Sequence, residues 1–172
     1  MRKSHIKRFG AAITTLGLLL AAPASAQTVD LVGAQGGWSL YADKATPKAV
    51  CFLAAQPQST DPPAAKRGPI FFYISAWPKD GIKLEPSIKA GYPVKADNDM
   101  TVTIGSDTFK LFGKGDRGFV NDPTEELKLI ESMKKGSNAV VRGVSVKGTG
   151  TTDTYSLSGL AQALDKMAAA CP

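Results

Sequence analysis

The chain has 172 residues, 43% of them apolar, and a formal net charge of +6 from 21 basic and 15 acidic residues. That is one domain's worth of chain with enough apolar side chains for a core, which excludes a disordered polymer. No apolar run reaches the length of a membrane-spanning helix.

Residues 1–26 read as a secretory signal peptide. Arg2, Lys3, Lys7 and Arg8 give a basic start, Ala11 to Ala22 an apolar stretch of twelve residues, and Pro23 a break before the small residues Ala24-Ser25-Ala26. Cleavage is expected before Gln27, leaving a single domain over 27–172. The alternative, an uncleaved anchor, conflicts with the shortness of the stretch against a hydrocarbon core of about 30 Å. No cysteine follows the cleavage site, so no lipid anchor is expected there. Removal takes four basic residues and leaves 17 basic against 15 acidic, a net charge of +2. A nucleic-acid footprint needs a clustered cationic excess, and none is expected. The expected location is the periplasm or the exterior.

The single histidine, His5, lies in the signal segment. The remainder therefore has no imidazole for a Ser-His-Asp or Cys-His arrangement, for general-base work near neutral pH, or for the usual histidine-containing zinc sites. Two cysteines are too few for a four-cysteine zinc site. Neither a metal nor a cofactor is expected. Carboxylate chemistry, a Ser-Lys pair, or no catalysis remain.

Both cysteines, Cys51 and Cys171, lie in the mature part. An oxidising compartment favours their pairing over two buried free thiols. The bond would close a loop of about 120 residues, for which the chain-entropy model gives roughly 5 kcal/mol.

The elements are mostly strands. Trp38 to Ala42 and Ala49 to Gln56 are short strands, followed by a long proline-rich loop, Pro57 to Pro69. Ile70 to Trp77 is nearly continuous apolar, as in a central strand covered on both faces. Ile82 to Lys89 follows the turn Pro78 to Gly81, and Pro86 pushes it toward an edge or a bulge. Asp99 to Ile104 and Thr108 to Phe112 form a hairpin about Gly105-Ser106. Gly113 to Gly118 turns the chain toward Phe119-Val120. Ala139 to Lys147 is a strand in which Arg142 falls beside Val140 and Val144; a bulge at Gly143 is expected to move it off an apolar face. Gly148 to Thr151 turns into a last strand, Thr152 to Leu157.

Two segments read as helices. Asp122 caps the first, near 123–135, with Pro123 at its first position, Glu125 and Glu126 in its first turn, Lys134 and Lys135 in its last, and Gly136 as its stop. The second runs near 158–170. There Leu160, Ala161, Leu164, Met167 and Ala168 form one apolar stripe that Cys171 continues. About eight strands with closely spaced turns indicate an antiparallel sandwich or barrel.

Several local patterns resemble one family. They are Gly37-Trp38-Ser39-Leu40-Tyr41, Val50-Cys51-Phe52, Phe109 to Asp116 (FKLFGKGD), Met133 to Ser137 (MKKGS), Asp153 to Leu160 (DTYSLSGL) and Cys171-Pro172. In order and spacing they are similar to the invasion-associated locus B family, small exported proteins of alphaproteobacteria. The resemblance covers essentially the whole of 27–172. It implies an immunoglobulin-like β-sandwich in the bacterial envelope and a role in host-cell entry. Many members carry a further cysteine soon after the tryptophan, where this chain has Ala42. The resemblance transfers no catalytic residue.

Candidate sites have competing explanations. Gly113, Gly115 and Gly118 match a dinucleotide-binding glycine pattern, but the strand–turn–helix context is missing, and a glycine-rich hairpin tip is expected instead. Lys114, Asp116 and Arg117 are then its exposed charges and candidate partner contacts. Lys66 and Arg67 make the proline-rich loop basic and are candidate contacts too. Trp38, Tyr41 and Trp77 form either a binding platform or part of the core. Glu125, Glu126 and Glu131 are read as helix-surface acids rather than hydrolytic pairs. The favoured function is a non-catalytic exported interaction module with a protein or cell-surface partner. The alternative is a histidine-free hydrolase using a carboxylate pair or Ser-Lys.

Overall fold

The computed structural model describes residues 28–44, 48–63, 67–96 and 100–171. Residues 1–26, read as a signal peptide, lie outside the described residues, as does Lys66. Among the described residues, eleven strands and two α-helices follow in chain order. They are β1 (Val29–Gln35), β2 (Trp38–Asp43), β3 (Cys51–Ala55), β4 (Ser59–Asp61), β5 (Phe71–Trp77), β6 (Ile82–Lys89), β7 (Met100–Ile104), β8 (Asp107–Lys114), β9 (Arg117–Phe119), α1 (Pro123–Lys135), β10 (Asn138–Val144), β11 (Gly150–Ser156) and α2 (Leu160–Ala170). A single 3-10 turn, Pro78–Asp80, links β5 to β6.

The fold is mainly β and antiparallel throughout, with both helices where the capping and stripe patterns predict them. Hydrogen-bonded ladders join all the strands in one order, β1-β2-β3-β5-β6-β9-β8-β7-β10-β11-β4. This continuous sheet bends so that its two halves meet across a common core. The fully buried Trp38 on β2 donates its Nε1–H to the carbonyl of Ser156 on β11, at 3.1 Å. Phe72 on β5 lies edge-on to both Trp38 and Tyr155, with centroids 5.8 and 5.5 Å apart. Edge-to-face rings in a dry core contribute beyond their buried area.

The predicted disulfide is present. Cys51, fully buried at the start of β3, bonds Cys171 at the end of α2 across a Cα–Cα distance of 6.4 Å. Leu160, Ala163, Leu164 and Met167 are the buried stripe of α2. Asp122 caps α1 as expected, accepting from the N–H groups of Thr124 and Glu125 at 2.8 and 3.2 Å.

Three local expectations change. β10 has no bulge: its register with β11 runs unbroken from Asn138↔Ser156 to Val144↔Gly150. Ala139, Val141 and Gly143 point inward, and Arg142 stands with Val140 and Val144 on the outer face, exposed to solvent. β6 is interior in part. Beside Ser87, Ile88 and Lys89 it pairs with β9, whereas before Pro86 β5 is its only ladder partner among the described residues and the register shifts. Pro86 thus sits where no N–H is needed on the second side. Finally, the Pro57–Pro69 segment contains β4, which pairs with β11.

Candidate partner-binding face

Outward side chains of β2, β3 and β5 form a row of aromatic rings. Strand alternation sends Leu40, Leu53 and Phe72 to the core and leaves Tyr41, Phe52 and Tyr73 half-buried on the opposite face. Tyr41 and Phe52 are paired residues of adjacent strands, and their rings stack with centroids 5.1 Å apart. Phe52 meets Tyr73 edge-on at 5.9 Å, and Tyr73 meets Phe71 at 5.4 Å. Across the sheet, Phe112 on β8 and Phe119 on β9 form a second pair at 5.8 Å, with Phe112 41% exposed.

A charged hairpin completes the face. The Gly113–Gly118 segment is the predicted glycine-rich tip, with Lys114 paired to Arg117 across a two-residue turn in which Gly115 has φ +63°. The tip is fixed in place, because Ala90 N–H donates to the Asp116 carbonyl and Val94 N–H to that of Gly115, each at 2.8 Å. The Arg117 guanidinium lies 5.1 Å from the centre of the Tyr73 ring, a cation–π contact. Lys89 donates to Asp116 Oδ2 at 2.7 Å. That bond, ahead of the nearby positive charges, holds the Asp116 carboxyl below its ordinary value. Burial pushes the Tyr73 phenol up, against the pull of Arg117 and Lys89, so its hydroxyl is neutral at physiological pH. Lys89, Lys114 and Arg117 outnumber Asp116 here, so the tip is cationic.

A family model described as "Invasion associated locus B (IalB) protein" matches residues 38–168, from the first residue of β2 into α2. The chain belongs to the invasion associated locus B family. A solved structure of a similar fold is the crystal structure of invasion associated protein b from Bartonella henselae. It has 14% identity and a TM-score of 0.59, with 81% of this chain and 97% of that one covered. No curated protein matches the sequence. The aromatic row and the cationic tip both lie within the stretch matched to the family.

Of the residues singled out by sequence, Lys114, Asp116 and Arg117 come together at the tip. Arg67 does not join them. Its side chain is 8% exposed and sits inside, donating to both Asp153 oxygens at 2.7 Å and twice to the Ala90 carbonyl, with the Tyr92 ring 5.0 Å away. A guanidinium so committed has no donor fork left for a partner, so Arg67 is a structural residue rather than a contact.

Trp38, Tyr41 and Trp77 form no common platform. Trp38 and Tyr41 are three apart on one strand and therefore face opposite ways, and Trp38 is core. Phe52, Phe71, Tyr73, Phe112 and Phe119 join Tyr41 instead. Their signal in the sequence is the recurrence of aromatics at alternate strand positions, as in Phe71 and Tyr73.

The acids of α1 are largely engaged by lysines: Glu125 accepts from Lys128 at 2.8 Å and Glu131 from Lys134 at 2.9 Å. Burial, with the neighbouring Glu85 charge next, raises the Glu126 carboxyl above its ordinary value. Among the described residues, no three His, Cys, Asp or Glu side chains cluster as metal ligands, and no helix is long and apolar enough to cross a membrane.

Proposed function

We propose that this chain is a non-catalytic, exported interaction module of the bacterial envelope. In this reading it contributes to host-cell entry by binding a protein or cell-surface partner through the aromatic face and its cationic hairpin. The carrying observation is the continuity of Tyr41, Phe52 and Tyr73 with Arg117 and Lys114 on one outward sheet surface. Tyrosine, phenylalanine and arginine are enriched at protein interfaces, and tyrosine and arginine are among the residues that carry most of the binding energy there. Export is supported by the signal-like residues 1–26 and by a disulfide, which persists in oxidising compartments.

Lys114→Glu with Arg117→Glu, and separately Tyr41→Ala with Phe52→Ala, are expected to reduce adhesion to host cells about tenfold or more while the circular dichroism spectrum is kept. Unchanged adhesion in both double variants would sink this assignment. So would a hydrolase activity abolished by a single Asp, Glu, Ser or Lys substitution in folded protein.

A further inference from the structure

On the other side of the molecule, the β5–β6 hairpin, α1 and α2 enclose a cleft of about 490 Å³. That lies within the roughly 300–1,000 Å³ of small-molecule sites. Its floor is continuous with the core: Ile130 of α1 and Leu164 and Met167 of α2 are buried yet line it. Ile82 and Leu84 form the hairpin wall. Close-packed interiors leave few spaces of this size. Here the space exists because Ala76, Gly81 and Ala168 present almost no side chain where the three elements converge.

The chemistry of the lining restricts what fits. Among the described residues, the charged ones lining the cleft, Lys83, Glu131, Lys134 and Asp165, are exposed and therefore at its rim. The deep part offers no polar side chain, so a buried polar ligand group would lose its water without compensation. Among the described residues no aromatic side chain lines the cleft, so none selects a flat ring by stacking. Aliphatic and thioether side chains adapt to a flexible chain. At the rim, Lys134 is held by Glu131 and feels the charge of Asp165. Lys83 is the rim cation with no ion-pair partner among the described residues.

We propose that this cleft binds a single aliphatic chain carrying an anionic head group, with the chain between α1, α2 and the β5–β6 hairpin and the head at Lys83. This site is separate from the aromatic face and does not depend on the partner-binding function assigned to it.

The test is calorimetric titration of the disulfide-bonded protein with dodecanoate below its micelle concentration, and native mass spectrometry for stoichiometry. Dodecyl phosphate, dodecyltrimethylammonium and acetate are parallel ligands. One saturable site for dodecanoate is expected, with none for acetate. Comparable binding of dodecyl phosphate assigns the site to anionic lipids generally, and preference for dodecanoate assigns it to free fatty acids. Ala168→Phe, at an exposed lining position, should weaken dodecanoate about tenfold or more by filling the space. Lys83→Glu should weaken dodecanoate several-fold and leave dodecyltrimethylammonium as tight or tighter. Absence of saturable binding, or dodecanoate binding unmoved by Ala168→Phe, would overturn the site. Equal loss of anionic and cationic ligands in Lys83→Glu would overturn the assignment of the head group.

Discussion

Arg67 and Asp153, 86 residues apart in the chain, face each other through two parallel hydrogen bonds of 2.7 Å inside the protein. The pair ties the segment that follows β4 to the inward face of β11, and the Ala90 carbonyl accepts two further bonds, from Nε and Nη2. Both side chains are nearly inaccessible, at 8% and 3%. Removing one partner leaves an uncompensated buried charge. Arg67→Ala is therefore expected to destabilise the fold by about 3–5 kcal/mol, whereas replacing both residues by apolar ones of similar volume restores much of the loss. Urea denaturation of the two variants beside the parent protein measures this. A loss below 1 kcal/mol in Arg67→Ala would contradict it.

The Cys51–Cys171 bond closes a loop with a sequence separation of 120. Cys51→Ser with Cys171→Ser should lower stability by about 4–5 kcal/mol, mostly by releasing the unfolded chain. The same shift should appear when the native protein is unfolded under reducing conditions. A denaturation midpoint unchanged by both treatments would show that the bond does not constrain the chain.

Glu126 makes a pH prediction. Its carboxyl is raised above the ordinary value by burial first and by Glu85 second, so the folded state holds this proton more tightly than the unfolded state. Its contribution to stability is therefore most favourable at acid pH and declines as pH rises from the unfolded value through the folded one. Glu126→Gln should raise the melting temperature at neutral pH, and the advantage should disappear under acid conditions. Thermal scans across pH check the sign. The substitution also bears on the hydrolase alternative, since a raised carboxyl is what a general acid needs.

Gly136 ends α1 for a reason other than backbone freedom. Its φ is −84°, open to any residue, but a Cβ there would collide with the side chains of Ile104 and Leu157. Gly136→Ala should destabilise by about 1–3 kcal/mol, the usual range for overpacking a core. Trimming Ile104 to Ala removes the γ-methyl that the new Cβ would strike, so the two substitutions together should cost less than the sum of each alone, as chemical denaturation would show.

Strand alternation and capping made most of the architecture legible. Asp122, Pro123 and the charges of α1 carry enough local signal to set that helix, and the stripe from Leu160 to Met167 sets the other. β1 escaped because its residues are mostly exposed and its register shifts between Leu31 and Gly33, so no period-two pattern survives. β4 is three polar residues inside a proline-rich stretch. The face was legible in part. Lys114, Asp116 and Arg117 follow from the glycine turn. The rings beside them do not, because a strand such as Phe71–Trp77 is apolar on both sides and does not announce which side is out. Arg67 was misplaced for a related reason. Charge in a loop looks solvated until its partner is found, and that partner, Asp153, shares with Thr151 and Tyr155 the alternate positions of β11 that point inward.

The contacts that close the fold join its early elements to its late ones: Trp38 to Ser156, Cys51 to Cys171, and the N–H of Gln58 to the carbonyl of Thr154. A chain emerging N-terminus first, from a ribosome or a translocation channel, must hold β2 and β3 with their inner faces uncovered until α2 arrives. Such non-local pairing is slow, and it leaves apolar strands open to aggregation in the interval. Hairpins such as β2–β3 and β5–β6 can pair earlier, but their core is covered in full only once α2 has emerged. A holding chaperone that shields the first strands is the kind of assistance this topology calls for.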